Sequence, residues 1–297
     1  MAGSTEWVAT GLSINGFSYC YVRIVPLIKY TFVNANPQIM CGSLDHIAER
    51  VLPAIQLHGW RILMAPHPGE IDKLLVWQGY SEDTNVFTPT DTLPEYDVAV
   101  RLKSSTLNVW TTTACKVDKA IWRAQMGQSP LMLQLDVTGK TSTPDGGTWS
   151  PTSITTDSPY EFTSNNGGFS IDGTTRAVRS WVFAEDHHIQ RRFNNAVTAD
   201  VIANTMRTIH QACDTPYTDD EDDILTTFTS SGREDGVPIV MTFTHGGQSL
   251  SFSTPLNVWE AKPPSILSKA QDIRLDQYYL AIKGENPVCT ITHDPTA

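Results

Sequence analysis

Residues 115–140 read CKVDKAIWRAQMGQSPLMLQLDVTGK, and the spacing of their apolar side chains indicates the fold of the chain. Gly127 and Pro130 fall between two runs, where the chain is expected to turn. The second run alternates between an apolar set and a mainly polar set: Leu131, Leu133, Leu135 and Val137 against Met132, Gln134, Asp136 and Thr138. Period two is the repeat of a β-strand with one buried face, so the stretch predicts a β-hairpin packed on a core.

The elements before this hairpin include a short helix and a repeated tetrapeptide. LNVW stands at residues 107–110 and returns at 256–259. Upstream of the first copy, HPGEIDKLLVWQG spaces its apolar residues at i, i+3 and i+4. Pro68 suits the first turn of a helix and Gly79 suits the residue after its end, so we predict a short helix between them.

The second half of the chain has the same elements in the same order. The segment TDDEDDILTTFTSSG, residues 218–232, predicts a second short helix with acids at its start. Gly246 and Gly247 lie between two alternating runs, as in a hairpin turn. A further hairpin is expected to turn at residues 284–287. The repeated order, which matters more than the tetrapeptide, predicts a duplicated module.

We therefore predict a mainly β protein of two tandem modules, each a β-sandwich or barrel with one short α-helix. Residues 138–159 are rich in Gly, Ser, Thr and Pro and form the predicted seam. We place an N-terminal module, with an N-terminal arm, at residues 1–143 and a C-terminal module at residues 144–297. Two unrelated β-domains are the alternative, because mostly β chains share turn residues without common ancestry.

Composition and charge exclude several classes of protein. Hydrophobic residues make up 40% of the chain and charged residues 18%, as in soluble globular proteins. No run reaches the roughly 20 apolar residues of a membrane-spanning helix, and the start MAGSTEWVATG predicts no secretion signal. The net charge is −11, and residues 144–297 carry most of it. An acidic chain is not expected to grip nucleic-acid phosphates.

The five cysteines form no disulfide framework and no zinc motif. They number an odd five, are widely spaced and include no CxxC pair. We expect reduced thiols, mostly buried, as is common for free cysteine.

Motifs that carry catalysis are missing, and three local clusters have structural explanations. The sequence has no HExxH, P-loop, GxGxxG or GxSxG motif, so we expect neither an enzyme nor a cofactor. The pair His187–His188 would point to opposite faces of a strand, which does not suit one metal ion. The run Asp219–Asp223 has calcium-loop spacing but lacks the glycine that such a loop requires. Five tryptophans suit a sugar platform less well than a core: Trp110, Trp122, Trp149, Trp181 and Trp259.

The order of elements resembles the tail tube proteins of long-tailed bacteriophages, in particular the two-domain kind. The resemblance lies in the strand and helix of residues 59–81 and in the hairpin region of residues 110–140. It resumes in PYEFTSNNGGFSIDGTTRAVRSWVFAEDHHIQRRF, residues 159–193, and in AQDIRLDQYYLAIKG, residues 270–284. Most of residues 40–290 are covered by this pattern of apolar positions and glycines.

This resemblance implies a virion structural protein whose modules join edge to edge into rings. The rings stack into a hollow tube through which genomic DNA is ejected. A duplicated module implies three chains in a pseudo-sixfold ring, with six chains as the alternative. Implied partners are further copies of the chain, the tape measure, terminator and distal tail proteins, and double-stranded DNA that passes without specific binding. Assembly is expected in the host cytoplasm, without membrane insertion.

Acidic residues lining the bore would repel DNA at close range, within a screening length of about 8 Å. We expect solvent-facing acids of the central hairpins to line it: Asp118, Asp136, Asp272 and Asp276. A distal tail or baseplate ring component is the nearest alternative function. A carbohydrate-binding β-sandwich protein is a further alternative, from a different class.

Overall fold

The computed structural model describes residues 9–27, 29–34, 51–102, 108–127, 130–145, 148–154, 157–162, 168–193, 198–216, 236–260, 274–284 and 286–295. In the first half, the described residues form one helix and the following strands: β1 Ala9–Ile14, β2 Phe17–Tyr19, β3 Arg23–Pro26, β4 Lys29–Asn34, β5 Val51–Met64, α1 Pro68–Trp77, β6 Tyr80–Asp83, β7 Val86–Pro89, β8 Tyr96–Leu102, β9 Val109–Gln125, β10 Met132–Gly139 and β11 Thr141–Asp145. The second half adds β12 Thr152–Ser153, β13 Phe169–Ile171, β14 Thr174–Thr175, β15 Ser180–Asp186, β16 Gln190–Arg192, β17 Val201–Ala203, β18 Thr208–Pro216, β19 Ile239–His245, β20 Gln248–Thr254, β21 Asn257–Glu260, β22 Arg274–Ala281 and β23 Thr290–Asp294. The protein is therefore mainly β, as predicted.

One antiparallel sheet runs through both halves of the chain, and we call it the long sheet. Its strand order is β3-β5-β10-β9-β15-β18-β22-β21, with β4 continuing along β5 beyond β3. The predicted hairpin is confirmed: β9 and β10 pair with Leu133 opposite Trp122 and Leu135 opposite Ala120. Strands β9 and β15 join the two halves by continuous pairing, from Lys119 opposite Asp186 to Gln125 opposite Ser180.

Two further sheets cover one face of the long sheet. The first small sheet has the order β12-β2-β1-β8-β9-β11, and the second has β14-β13-β19-β20-β23-β7-β6. Strand β9 belongs to two sheets, because residues 109–113 pair with β11 and residues 116–123 pair with β10. Ala114 lies between these two parts with φ 49°, an uncommon left-handed conformation for a residue with a side chain.

Each half of the chain repeats one topology. Within the long sheet, the first half contributes strands in the order β3-β5-β10-β9 and the second half contributes β15-β18-β22-β21. In both units the third strand in sequence, β9 or β21, lies at the end, and the fourth strand, β10 or β22, lies between the second and the third. The small sheets repeat as well, since β2-β1-β8-β9-β11 corresponds to β14-β13-β19-β20-β23.

The first hairpins of the two small sheets also share a turn. Asn15-Gly16 has φ 49° and 80°, and Asp172-Gly173 has φ 51° and 73°. Two successive positive φ angles are typical of a type I′ turn, which matches the twist of the strands it joins.

The structure revises two details of the predicted repeat. In the first LNVW, Val109 and Trp110 begin the part of β9 in the first small sheet, whereas in the second copy Asn257 begins β21 in the long sheet. The two copies therefore do not occupy equivalent positions. The hairpin expected at residues 284–287 is wrong, because β22 pairs with β18 and β21 while β23 pairs with β20 and β7. The chain crosses there between sheets. The second predicted helix, residues 218–232, lies outside the described residues.

A continuous core fills the space between the long sheet and the small sheets. Trp122 of β9 and Trp181 of β15 are fully buried and both contact Phe252 of β20, with ring centroids 5.3 and 5.0 Å apart. Trp60 Nε1 donates to Thr112 Oγ1 at 2.8 Å and ties β5 to the first small sheet. Large aromatic side chains from both halves thus pack in one core, which fixes how the halves meet.

Helix α1 begins and ends where its sequence predicts. Pro68 is the first helical residue, and Gly79 follows the helix with φ 87°. Glu70 is fully buried and accepts hydrogen bonds from the backbone N–H groups of His67 and Cys20, both at 2.9 Å. Burial raises the pKa of Glu70, and these two hydrogen bonds act against that rise. The carboxylate therefore caps the helix and holds the end of β2 against it.

The two halves share a second contact besides β9 and β15. Strand β7 of the first half pairs with β23 near the end of the chain, with Phe87 opposite Ile291. His293 Nδ1 lies 2.5 Å from Asp72 Oδ1 on α1. The predicted boundary between residues 143 and 144 falls within β11, which pairs with β9.

Candidate assembly surface

We call the face of the long sheet that points away from the small sheets the outer face. Strands β16 and β17 contact one end of it, where Arg191 Nη2 donates to Thr138 Oγ1 at 3.0 Å and Lys116 Nζ donates to Ile202 O at 2.9 Å. Side chains alternate along each strand, so β15 buries Trp181, Phe183 and Glu185 while Val182 and Ala184 remain partly exposed. Seven charged residues lie on the outer face of the five central strands: Arg61, Lys116, Lys119, Arg123, Asp136, Asp186 and Asp214. The face therefore carries both signs of charge.

Four of these residues form one row across four neighbouring strands, which we call the charge row. Asp136 of β10 lies opposite both Arg61 of β5 and Lys119 of β9, and Lys119 lies opposite Asp186 of β15. Arg61 donates to Asp136 from Nε at 2.7 Å and from Nη2 at 2.6 Å. Lys119 Nζ lies 2.6 Å from Asp186 Oδ2. Signs alternate along the row, so each cation has a carboxylate beside it.

The pairing within the charge row changes the pKa of three of its members. The hydrogen bond to Asp136 raises the pKa of Arg61, and that to Asp186 raises the pKa of Lys119. Burial acts to raise the pKa of Asp186, but hydrogen bonds from Lys119 and from the backbone N–H of His188 lower it below its usual value. These three shifts favour the charged forms of Arg61, Lys119 and Asp186.

The four acids expected to line a bore occupy different settings. Asp136 lies in the charge row with a side chain 13% exposed. Asp118 is the extra residue of a bulge in β9, because Lys119 pairs with Asp136 and Val117 with Val137. For Asp276 the backbone lies opposite Asp214, and its side chain is outside the described part, as is the whole of Asp272.

Asp118 holds the loop that follows β15. Its Oδ1 accepts the N–H of Ile189 at 3.0 Å, and its carbonyl accepts the N–H of His187 at 2.8 Å. Burial raises the pKa of Asp118, and the hydrogen bond from Ile189 opposes this. The carboxylate is thus a local anchor between the two halves.

Both ends of the long sheet are open edges within the described part of the chain. Strand β3 pairs only with β5, and β21 pairs only with β22. Leu27 N donates to Gly59 O at 2.8 Å, so hydrogen-bonded pairs alternate from there and the backbone of Ile24 and Pro26 points outward. Pro26 lacks an N–H at its outward position.

The opposite edge has the complementary pattern. Ile282 N donates to Leu256 O at 3.0 Å, so alternation directs the backbone of Asn257 and Trp259 away from β22. The N and O atoms of Asn257 face Gly236 of the same chain, so it is the backbone of Trp259 that forms the open part of this edge. Near β3, the side chains of Val22 and Leu27 are 60% and 38% exposed. Unpaired edges beside exposed apolar side chains are typical of surfaces that receive another strand.

A buried polar cluster, the junction cluster, lies where the halves meet: Tyr80, Glu185, His187, Arg207 and Cys289. Arg207 Nε lies 2.8 Å from Glu185 Oε1 without hydrogen-bonding direction, so this contact is electrostatic. Tyr80 OH donates to Glu185 Oε2 at 3.3 Å. Burial raises the pKa of Glu185 to about 7, against the opposing effect of Arg207. Burial and then Arg207 lower the pKa of His187 to about 3.

The alternative of metal binding receives no geometric support from His187 and His188. His187 is buried in the junction cluster, whereas His188 is exposed and contacts Thr208 and Asp186. Within the described ranges no group of three His, Cys, Asp or Glu side chains is placed to hold a metal ion. The acidic run at residues 219–223 is outside those ranges.

Tryptophan and cysteine side chains are mostly structural. Trp122 and Trp181 are in the core, and Trp149 packs over Gly11, where a Cβ atom would come within 2.6 Å of its ring. The predicted burial of free thiols is confirmed for three cysteines and wrong for Cys20, which is exposed. Of the helices in the described part of the chain, none has the length and apolar character to cross a membrane.

Sequence reasoning found Asp136 but missed its partners. Arg61 and Asp186 are distant in sequence, and only the sheet register brings them beside Asp136 and Lys119. The alternation of each strand could have identified their common face, but not which strands are neighbours.

Comparison with known proteins gives a family match that includes both halves. A family model described as phage tail tube protein matches residues 7–281. No curated protein matches the chain. The matched range contains every strand of the long sheet.

Proposed function

The chain belongs to the phage tail tube protein family and has a structural role in the virion tail, and we propose that its copies close into rings that stack as the hollow tube of the tail. Genomic DNA leaves the capsid through this tube. Three chains form each ring, with six modules in a pseudo-sixfold arrangement. The modules are residues 1–143 and 144–297.

The observation that carries this proposal is the junction between β9 and β15. Strand β9 ends the first four-strand unit of the long sheet, and β15 begins the second. Strand β21 ends the second unit, and β3 begins the first. If β21 of one chain pairs with β3 of the next, the contact between chains repeats the contact within the chain.

A closed ring also accounts for the two open edges. An exposed edge with unpaired N–H and C=O groups favours uncontrolled pairing, which proteins normally prevent. A heterologous contact that repeats by rotation forms a ring and leaves no edge exposed. The same unit of four strands, used twice in each chain, supplies the rotation at both kinds of junction.

The outer face of the long sheet lines the bore in this arrangement. Asp136 lies on that face, Asp118 is the bulge residue of β9 beside Lys119, and Asp276 belongs to β22. With Asp272, they are the acids that we propose to face the DNA. Carboxylates at short range repel phosphates, and the passing duplex is not bound specifically.

The remaining partners follow from the place of a tube in the tail. Rings of this chain would meet the terminator and distal tail proteins at their ends and surround the tape measure protein before ejection. We place assembly in the host cytoplasm and propose no catalytic step.

Negative-stain electron microscopy of the purified protein tests the proposal. We expect hollow tubes with a regular axial repeat after concentration, and threefold symmetry with pseudo-sixfold appearance in end views. The mass of one axial repeat separates three chains from six. Single rings that do not stack under any salt condition would contradict the tube. They would favour a distal tail component, which forms one ring per virion.

A further inference from the structure

The outer face of the long sheet carries cations that could hold DNA. Arg61, Lys119 and Arg123 all lie on this face, on strands β5 and β9, which flank β10. The side chains of Arg61 and Lys119 are 49% and 47% exposed. Adjacent strands are about 4.8 Å apart, so these two cations lie within about 10 Å of each other across the sheet. Duplex DNA presents one negative charge per about 1.7 Å of axis, so several phosphates can reach such a surface.

Two of these cations, Arg61 and Lys119, are each paired with a carboxylate. Asp136 makes a two-bond contact with Arg61, and Asp186 contacts Lys119 at 2.6 Å. Both aspartates are less exposed than the cations they contact, with side chains 13% and 23% exposed. They are therefore held in the sheet rather than extended into solvent, and they replace phosphate as the partner of each cation.

We propose that Asp136 and Asp186 mask Arg61 and Lys119, so that the outer face does not bind the duplex that moves along it. The inference rests on the proposed function for its biological meaning, because a bore must pass DNA without holding it. It differs from simple repulsion by a negative wall. The outer face carries charges of both signs, and Arg61 and Lys119 do not bind phosphate because each already contacts an aspartate.

Salt dependence of DNA binding by the unassembled protein measures the masking directly. The probe is a short fluorescent duplex, and binding is followed by anisotropy at protein concentrations where sedimentation shows no tubes. The double variant Asp136→Asn/Asp186→Asn frees two cations. Each phosphate contact contributes about 0.9 to the slope of log K against log salt, so we expect the slope to steepen by about 2 relative to the original protein.

A matched control separates placement from net charge. Asp91→Asn/Asp172→Asn makes the same change in net charge at two exposed residues outside the charge row, and we expect it to leave the slope unchanged. Asp186→Asn alone should steepen the slope by about 1 and serves if the double variant does not fold. Adding Arg61→Gln/Lys119→Gln to the double variant should abolish the gained binding.

The masking inference is overturned if the double variant and its control bind the duplex with the same slope, or if the added Gln substitutions leave the gained binding intact. Failure of the tube proposal has a different signature. In that case microscopy of the original protein finds no tubes, while the variants still differ in DNA binding.

Discussion

Replacing Ile24 by proline should block ring closure while leaving the fold of the single chain intact. The N–H of Ile24 points away from β5 toward the open edge, so proline removes no hydrogen bond within the chain. In a ring, the same N–H would face β21 of the next chain. A proline there removes one donor and leaves a carbonyl of the neighbour unpaired at the junction.

The expected magnitude follows from the number of junctions. A buried acceptor left without a partner costs about 1–3 kcal/mol, and a three-chain ring has three such junctions, so one ring loses about 3–9 kcal/mol. Each 1.4 kcal/mol is about a tenfold change in an equilibrium constant. The protein concentration needed for tube formation should therefore rise by at least about tenfold.

Ile24→Ala is the matched control for this prediction. Ile24 is partly buried and packs against the core, so both variants lose that contact, at a cost of about 1–2 kcal/mol in the free energy of unfolding. Only the proline variant loses the outward N–H. Urea unfolding measures the first effect, and pelleting with negative-stain microscopy measures the second. Equal tube-forming concentrations for the two variants would refute the pairing of β3 with a neighbouring chain.

Three further predictions concern the single chain. Because the pKa of His187 is lowered to about 3, the unfolded chain binds a proton at this residue as pH falls below 6.5, whereas the folded chain does not. Between about pH 6.5 and about pH 5, the free energy of unfolding measured with urea should therefore fall by about 2 kcal/mol less for His187→Gln than for the original protein. Equal losses of free energy would contradict the burial of a neutral imidazole. Gly59→Ala should lower the free energy of unfolding by about 1–3 kcal/mol, because its Cβ would lie 2.2 Å from Val137 O, and an unchanged urea midpoint would argue against that close approach of β5 and β10. Asp118→Ala should speed hydrogen exchange of the Ile189 amide, which loses its acceptor, while the His187 amide, bonded to the backbone of Asp118, serves as the internal reference.

The junction cluster also responds to pH through Glu185, with the opposite sign. Its folded pKa of about 7 lies above the usual value, so this group stabilises the fold below about pH 4.5 and that contribution is lost as pH rises through 7. Both proteins in the His187 comparison retain Glu185, and its effect is therefore common to the two urea series.

Local patterns predicted the elements that depend on neighbouring residues alone. The alternation from Leu131 to Val137 matches the buried and partly exposed sides of β10, whereas Thr138, predicted on the polar side, is buried. Pro68 and Gly79 mark the two ends of α1. The glycine pair 246–247 turns the hairpin of β19 and β20 as expected, with φ 58° and 88°. Such features rest on side-chain period and on φ preferences, which act over a few residues.

Pairing of strands distant in sequence was beyond those patterns. The turn expected at residues 284–287 has suitable residues, but β22 and β23 find partners in different sheets. LNVW begins strands in different sheets for a related reason: β9 is one strand shared by two sheets, whereas β20 and β21 divide that task in the second half. A tetrapeptide carries no information on which sheet will receive it.

The sequence by itself determined a mainly β chain with a short helix, hairpins at glycine turns and a repeated order of elements. Only the tertiary structure decided that one sheet runs through both halves, that β3 and β21 remain as its open edges, and that Asp136 and Asp186 lie beside Arg61 and Lys119. The physical reason is that a strand specifies its two faces through its own alternation, whereas its neighbours depend on packing of the whole core and on backbone hydrogen bonds that any residue except proline can make.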